Sequence, residues 1–190
     1  MIRLFVAIPV PHDPALALAG LAEGVPGARW SPAKNLHITL RFVGDVAETL
    51  AEDLDSALSS VHAAPFGLGV AGVGSFGDNL GVQAIWAGVE ANDALTVLRG
   101  RCESAARRAG LKPDTRTWKP HVTLAYLSGS EPARVATWNR DHSLLKLPAF
   151  TVDGFGLYSS WKTRNGSAYR LERFYRLRSW PRGPSEPPAS

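Results

Sequence analysis

The sequence has very little cysteine and no long apolar run. Cys102 is the only cysteine among 190 residues, which excludes an intrachain disulfide and a metal cluster built on cysteines. The apolar stretch at residues 2–10 is too short to span a membrane and lacks the pattern of a secretory signal. We therefore interpret it as a first strand and expect a protein of the reduced cytoplasm, without membrane contact.

The histidines also lack the close spacing that metal sites show in sequences. None of the five belongs to an HExxH pattern or to a similar pair one helical turn apart. We therefore expect neither a metal ion nor another cofactor.

Charge is distributed unevenly along the chain. Residues 1–95 contain four Lys or Arg and ten Asp or Glu, whereas residues 96–190 contain seventeen and seven. Many of the basic residues fall in the last strand-like segment, between Lys162 and Arg178. Charge alone leaves two interpretations open, a solvated basic face and a surface for a polyanion such as RNA. The Pro- and Ser-rich residues 179–190 are expected to form a flexible tail.

Apolar periodicity predicts alternating strands and helices, and hence an α+β fold. Asp13 and Pro14 are typical of a helix start, and Asp45 with Glu48 matches a capping box. The predicted strands cover residues 3–9, 36–43, 66–76, 82–89, the segment around residue 121, and about 147–159 and 167–177. The predicted helices cover about 13–23, the segment after residue 45, about 92–110, and the segment after residue 130.

One tetrapeptide occurs twice. His37-Ile38-Thr39-Leu40 and His121-Val122-Thr123-Leu124 are 84 positions apart, and the same offset relates Phe66 to Phe150 and Gly72 to Gly156. Similar elements recur in any α+β protein, but a shared register favours duplication. We predict one bilobal domain over residues 1–178, with pseudo-twofold-related halves at about 1–81 and 82–178. Mainly antiparallel sheets and outer helices would surround a central cleft.

The repeated tetrapeptide suggests acid–base chemistry at phosphorus. Residues two apart in a strand point to the same face, so His37, Thr39 and Arg41 should share a face, as should His121 and Thr123. Histidine titrates near neutrality, and one ring could be a base while the other is an acid. In-line displacement at a strained cyclic phosphate needs such a pair and hydroxyl donors for the phosphate oxygens, without requiring a metal.

A single His-x-Thr is more often structural than catalytic, but two copies in register, each preceded by a tryptophan (Trp30, Trp118), favour catalysis. The segments NLHITLRFVGDV, KPHVTLAYL and FGLYSSWKTRNGSAYRLERF resemble the two-histidine (2H) phosphoesterase superfamily. Within it they are similar to the RNA 2′,3′-cyclic phosphodiesterases, also called 2′-5′ RNA ligases or LigT/ThpR proteins. The similarity spans about residues 2–177.

The resemblance implies a metal-independent hydrolysis of RNA or nucleotide 2′,3′-cyclic phosphate to a 2′-phosphate. On that pattern His37 is the general acid, His121 the general base, and Thr39 and Thr123 hold the phosphate. Reversal would give 2′-5′ RNA ligation as a side activity. The implied partner is RNA with a cyclic phosphate end, with tRNA fragments as one candidate source, and we expect a monomer.

One residue departs from the family pattern. Tyr126 stands where family members often have arginine, which puts one phosphate or RNA contact in doubt. Arg41, Lys162 or Arg164 could supply the missing cation. Aromatic residues that could stack on a base of single-stranded RNA are Phe5, Trp161 and Tyr169.

Several alternatives stay open on the sequence. One is another 2H activity, namely hydrolysis of a small cyclic nucleotide or an ADP-ribose cyclic phosphate, or trimming of an RNA 3′ end. Others are a metal-dependent phosphodiesterase and a non-catalytic RNA-binding module. The enzyme and the binding module differ in one cheap test, because only the enzyme loses its function when His37 or His121 is replaced.

Overall fold

The computed structural model describes residues 1–78, 81–164 and 166–179. Its strands are β1 (Ile2–Pro9), β2 (Ala28–Trp30), β3 (His37–Val46), β4 (Phe66–Asp78), β5 (Gly81–Val89), β6 (His121–Leu127), β7 (Lys146–Val152), β8 (Gly154–Thr163) and β9 (Gly166–Arg176). Its α-helices are α1 (His12–Ala19), α2 (Glu48–Ser59), α3 (Asp93–Arg108) and α4 (Pro132–Asp141), and a short 3-10 turn covers Ala33–Asn35.

The strands form one open antiparallel sheet. Their order is β7-β4-β5-β6-β3-β1-β8-β9, and β2 pairs with β6 beside this path. The two middle strands, β3 and β6, are paired at Ile38 and Val122. The predicted α+β fold with a mainly antiparallel sheet is confirmed.

The helices cover one face of the sheet. Helices α2 and α3 contact each other and the strands β1, β3 and β9, whereas α1 and α4 contact β4, β5 and β7. The apolar stripe of α3, which includes Leu95, Leu98 and Cys102, is completely buried, as are Leu54 and Leu58 of α2. Burial of these stripes leaves the other face of the sheet free for polar side chains. No helix of the described residues is both long and apolar enough to cross a bilayer.

Strand pairing crosses the boundary between the two predicted halves. Strand β4 of the first half pairs with β5 and β7 of the second, and β8 of the second half pairs with β1 of the first. Each side of the sheet is therefore built from both halves. The duplication stays a prediction, and the tail at 179–190 lies, except for residue 179, outside the described residues.

Three local predictions were wrong. Helix α1 begins at His12 and ends at Ala19 rather than near residue 23, because the chain turns at Gly20. Asp45 caps no helix, because it is still within β3 and forms an ion pair with Arg3. The strand predicted at 147–159 is two strands, since Asp153 separates β7 from β8 and each pairs with a different neighbour.

Candidate active site

The pairing of β3 with β6 brings the two repeated tetrapeptides together. Ile38 lies opposite Val122, and both side chains are completely buried on the helix side. In an antiparallel pair the residues on either side of such a position point to the opposite face. His37 therefore lies opposite Thr123, and Thr39 opposite His121, on the open face of the sheet. Both histidines and both threonines share one face, as the alternation predicts.

The two imidazoles are oriented in the same way by the backbone. Nδ1 of His37 donates to the carbonyl oxygen of Asn35 at 2.7 Å, and Nδ1 of His121 donates to that of Lys119 at 2.6 Å. A carbonyl oxygen can only accept, so in each ring Nδ1 carries a proton. Nε2 is consequently the atom that exchanges a proton with a ligand.

Both histidines are held towards their neutral form. Burial lowers the pKa of His37, partly offset by the Asn35 carbonyl, and the charge of His121 lowers it further. Burial likewise lowers the pKa of His121, against the Lys119 carbonyl, and the Lys119 ammonium adds to the lowering. Because a charge on one ring is felt by the other, the pair takes up its first proton more easily than its second.

Two neighbouring cavities open on this face. One has a volume of about 430 Å³ and is lined by His121, Thr39 and Thr123 among other residues. The second has a volume of about 250 Å³ and is lined by His37. The predicted central cleft is therefore lined by His121 and both threonines in one part and by His37 in the neighbouring part.

Aromatic rings surround His37. The Phe5 ring lies 4.9 Å from the imidazole, and Tyr169 lies 5.4 Å away in a perpendicular arrangement. Tyr158 stacks on Phe5 at 5.2 Å. The structure thus brings the candidate residues Phe5 and Tyr169 to the cavity of His37, where flat apolar rings offer surfaces for a nucleobase.

Arg41 does not share the face of His37 and Thr39, and this prediction was wrong. The register of β3 against β1 shifts between Thr39 and Arg41, so that Leu40 is an extra residue and both Leu40 and Arg41 are buried. Such a bulge reverses the alternation. The Arg41 guanidinium instead forms ion pairs with Glu103 at 2.7 Å and Asp114 at 3.7 Å.

Strand β6 contains the same irregularity. Its register against β5 shifts between Thr123 and Ala125, and Leu124 and Ala125 are both buried. The bulge returns Tyr126 to the open face, where it lines the cavity of His121. Burial, together with the neighbouring Tyr126 side chain, raises the pKa of Tyr169, which lines the cavity of His37.

Comparison with known proteins assigns the chain to a family. Residues 11–164 match the model of the 2′-5′ RNA ligase superfamily. The chain belongs to this superfamily. A protein of Archaeoglobus fulgidus named RNA 2′,3′-cyclic phosphodiesterase is 30% identical over 91% of the chain and 99% of its own length. A Geobacillus stearothermophilus protein of that name is 33% identical over 64% of the chain, and the match spans only 40% of that longer protein.

A solved structure supports the same assignment. The structure of E. coli LigT complexed with 3′-AMP is 25% identical, with a TM-score of 0.74 and coverage of 93% of this chain and 98% of that one. In this superfamily member, the bulges of β3 and β6 decide which side chains after each tetrapeptide reach the open face.

Trp161 and Arg164 are not brought to the two histidines. Tyr169 of β9 faces the His37 cavity and is paired with Ser160 of β8. Trp161 follows Ser160 in the strand and therefore points to the other face. Arg164 lies in the turn after β8. Within the described residues, neither side chain lines the cavity of His37 or of His121.

The basic residues of β9 are largely neutralised by carboxylates. The ion pairs are Arg170 with Glu172, Arg173 with Asp55 of α2, and Arg176 with Asp153. Because Asp55 belongs to a helix, Arg173 lies on the helix side of the sheet. These contacts favour the interpretation of this strand as a solvated, ion-paired face.

The structure adds residues that the sequence reasoning missed. Trp118 donates from Nε1 to the Thr39 carbonyl oxygen at 3.0 Å and so fixes β3 beside the loop that leads into β6. The Lys119 ammonium lies 4.0 Å from the centroid of the Trp86 ring, next to His121. The position of Lys119, two residues before His121, could have indicated both its carbonyl contact and its charge.

No metal centre is apparent in the part of the chain that the structure describes. Among the residues 1–78, 81–164 and 166–179, no three His, Cys, Asp or Glu side chains are grouped so that they could hold an ion.

Proposed function

We propose that the protein hydrolyses RNA 2′,3′-cyclic phosphate ends to 2′-phosphate ends by paired-histidine catalysis, without a metal. One observation carries the proposal. The pairing of Ile38 with Val122 puts both histidines and both threonines on one face, with each Nδ1 already engaged by a carbonyl. Two free Nε2 atoms beside two hydroxyls provide a base, an acid and two donors for one phosphate.

The relatives suggest the substrate. Both related proteins described above are named RNA 2′,3′-cyclic phosphodiesterase. The E. coli LigT structure contains 3′-AMP, a nucleoside monophosphate. The cavity of about 250 Å³ beside His37 has aromatic walls, which offer flat surfaces for a nucleobase.

The proposed reaction uses each histidine once. Neutral His121 accepts through Nε2 a proton from water as the water oxygen attacks phosphorus. The bond between phosphorus and the ribose 3′-oxygen breaks, and Nε2–H of charged His37 donates its proton to that oxygen. The ring opens to a 2′-phosphate and a free 3′-hydroxyl, while Thr39 and Thr123 donate hydrogen bonds to the non-bridging oxygens.

A bound phosphate allows one histidine to be charged while the other is neutral. Both histidines have a lowered pKa in the free protein. An anion between the rings favours their charged form and raises both values. Mutual repulsion then limits the pair to one proton, which is the state that the reaction needs.

Product analysis tests the proposed hydrolysis. An RNA oligonucleotide with a 2′,3′-cyclic phosphate end is incubated with the protein in excess chelator, and the products are separated by chromatography. We expect a 2′-phosphate end from the wild type and almost none from H37A or H121A. A 3′-phosphate product, activity lost with chelator, or unchanged activity in both variants would contradict the proposal.

Transfer of the cyclic phosphate to a second RNA, instead of to water, would join two RNA ends. If the 5′-hydroxyl of a second RNA replaces water at His121, the same proton transfers form a 2′-5′ phosphodiester. The larger cavity on the His121 side leaves room for a group bigger than water. High concentrations of both RNA ends should give a joined product that withstands nucleases specific for 3′-5′ bonds, and its absence would restrict the protein to hydrolysis.

A further inference from the structure

A narrow recess shares lining residues with the cavities of both histidines. It lies between β2, the 3-10 turn and the hairpin of β8 and β9, and Arg29 is the cation that lines it. Tyr126 belongs both to this recess and to the cavity of His121. Tyr169 and Asn35 belong both to the recess and to the cavity of His37. A ligand chain that leaves the His37 cavity past Tyr169 therefore reaches Arg29 next.

The Arg29 side chain has neighbours on two sides. Arg29 is the cross-strand neighbour of Tyr126, and its guanidinium carbon lies 5.5 Å from the centroid of the Tyr126 ring. On the other side lies Gly166, where an added Cβ would come within 2.9 Å of Arg29 Nε. A guanidinium that stacks on a ring keeps its N–H edge available for a phosphate.

Arg29 differs in its surroundings from the other arginines near this face, because those arginines are paired with carboxylates. Arg3 is paired with Asp45, and Arg116 donates two hydrogen bonds to Asp114. By contrast, the described residues that line the recess around Arg29 include no carboxylate. The recess thus presents a positive charge to an anion.

We propose that Arg29 binds the phosphodiester that precedes the terminal nucleotide of the RNA substrate. This inference rests on the proposed function, in which the cyclic phosphate lies at the histidines and its nucleoside lies beside Phe5 and Tyr169. The preceding phosphate then falls past Tyr169, at the recess. Arg29 thereby makes the enzyme prefer an RNA end to a free cyclic mononucleotide.

The assignment also bears on the family departure at position 126. Tyr126 replaces an arginine that family members often have, and Arg41 is buried. Arg29 brings a guanidinium to this place from the neighbouring strand, with the Tyr126 ring as its support.

Three substrates separate this role from a structural one. They are a 2′,3′-cyclic mononucleotide, a dinucleotide with a 2′,3′-cyclic phosphate end, and the same dinucleotide with a neutral methylphosphonate linkage. For R29M we expect a KM about 10-fold higher on the native dinucleotide, because a charge-assisted contact to the linkage is lost. The KM values for the other two substrates should stay within about 2-fold of wild type. Equal losses on all three substrates, or no loss on the native dinucleotide, would overturn the inference.

The wild-type protein provides a test that needs no variant. Its KM should be about 10-fold higher for the methylphosphonate dinucleotide than for the native one, since Arg29 then faces a neutral linkage. Equal KM values would reject the inference. The matched control is R173M, which removes an arginine on the helix side and should leave the preference for the native linkage unchanged.

Binding without turnover keeps this inference distinct from the proposed function. The Kd of the unreactive 2′-phosphate dinucleotide, and of its methylphosphonate form, can be measured by calorimetry. We expect wild type to bind the native form about 10-fold more tightly and R29M to bind both forms alike. This discrimination would persist even if no hydrolysis were found, and its absence would overturn the role of Arg29 even in an active enzyme.

Discussion

The two histidines make the same hydrogen bond to the backbone but have different neighbouring side chains. Each donates from Nδ1 to the carbonyl two residues earlier, and each lies opposite a threonine of the other strand. His37 contacts the rings of Phe5 and Tyr169, and His121 contacts the ring of Phe76, but the His121 cavity is larger and has Lys119 at its side. The pairing of β3 with β6 therefore positions both histidines alike, and under the proposed function the surrounding strands give one side to the nucleoside and leave the other to the attacking group.

Removing either imidazole should have the largest effect on activity and is the strongest test of this comparison. We expect H37A and H121A each to lower kcat by about 10³-fold, because positioned proton transfer contributes about 10²–10⁴-fold. The double variant should be little worse than either single variant, since the two rings act as a unit. Steady-state kinetics on a cyclic-phosphate RNA measure these effects.

A substrate with a good leaving group assigns the two roles. A nitrophenyl phosphodiester of a nucleoside needs no proton on its leaving oxygen. H37A should recover most of its activity on it, and H121A should not. Recovery by H121A alone would exchange the acid and the base.

Smaller losses of activity, similar at the two positions, are expected when the threonines are replaced. T39V and T123V should each lower kcat by about 10²-fold, the usual effect of removing one donor from a developing negative charge. T39S and T123S keep the hydroxyl and serve as controls. A loss at only one of the two positions would show that the phosphate is bound from one side.

Arg41 and Ala125 are equivalent positions, because each follows the bulge of its strand. Replacing Arg41 with alanine therefore tests stability rather than activity. R41A should lower the free energy of unfolding by about 3 kcal/mol, because it leaves the mostly buried Glu103 without its partner, although Asp114 keeps Arg116. Urea unfolding measures this, with R173M as an exposed control. A folded R41A that had lost RNA binding without losing stability would restore the discarded RNA contact.

The smallest expected effect is the change of kcat/KM with pH. One ring must be neutral and the other charged, so the profile should be bell-shaped. Both pKa values lie below the usual 6.5 in the free protein. The form with one proton is therefore most populated below pH 6.5, and the rate should fall up to 10-fold per pH unit on either side. An optimum above pH 7.5 would contradict this assignment, and NMR titration of the two rings checks it directly.

Sequence reasoning was reliable for the strands that alternate regularly. It placed His37, Thr39, His121 and Thr123 on one face, and it predicted most strands and helices within a few residues. Alternation did not reveal the register shifts after Thr39 and Thr123, because a bulge depends on the partner strand. The orientation of Arg41 was missed for this reason.

Arg29 shows a second kind of omission. Strand β2 has only three residues, Ala28–Trp30, too few for a periodic pattern. The role proposed for Arg29 depends on the pairing of β2 with β6 and on the approach of Gly166, which lies far along the chain.

The sequence by itself determined the α+β fold and the two tetrapeptides, because apolar periodicity and a repeated motif are local properties of a chain. Only the tertiary structure decided which side chains face each histidine and which arginines are neutralised by carboxylates. Arg173 pairs with Asp55 on a distant helix, while the guanidinium of Arg29 lies over the ring of a tyrosine of the neighbouring strand. Such pairings join residues more than ninety positions apart, and folding alone brings them within reach.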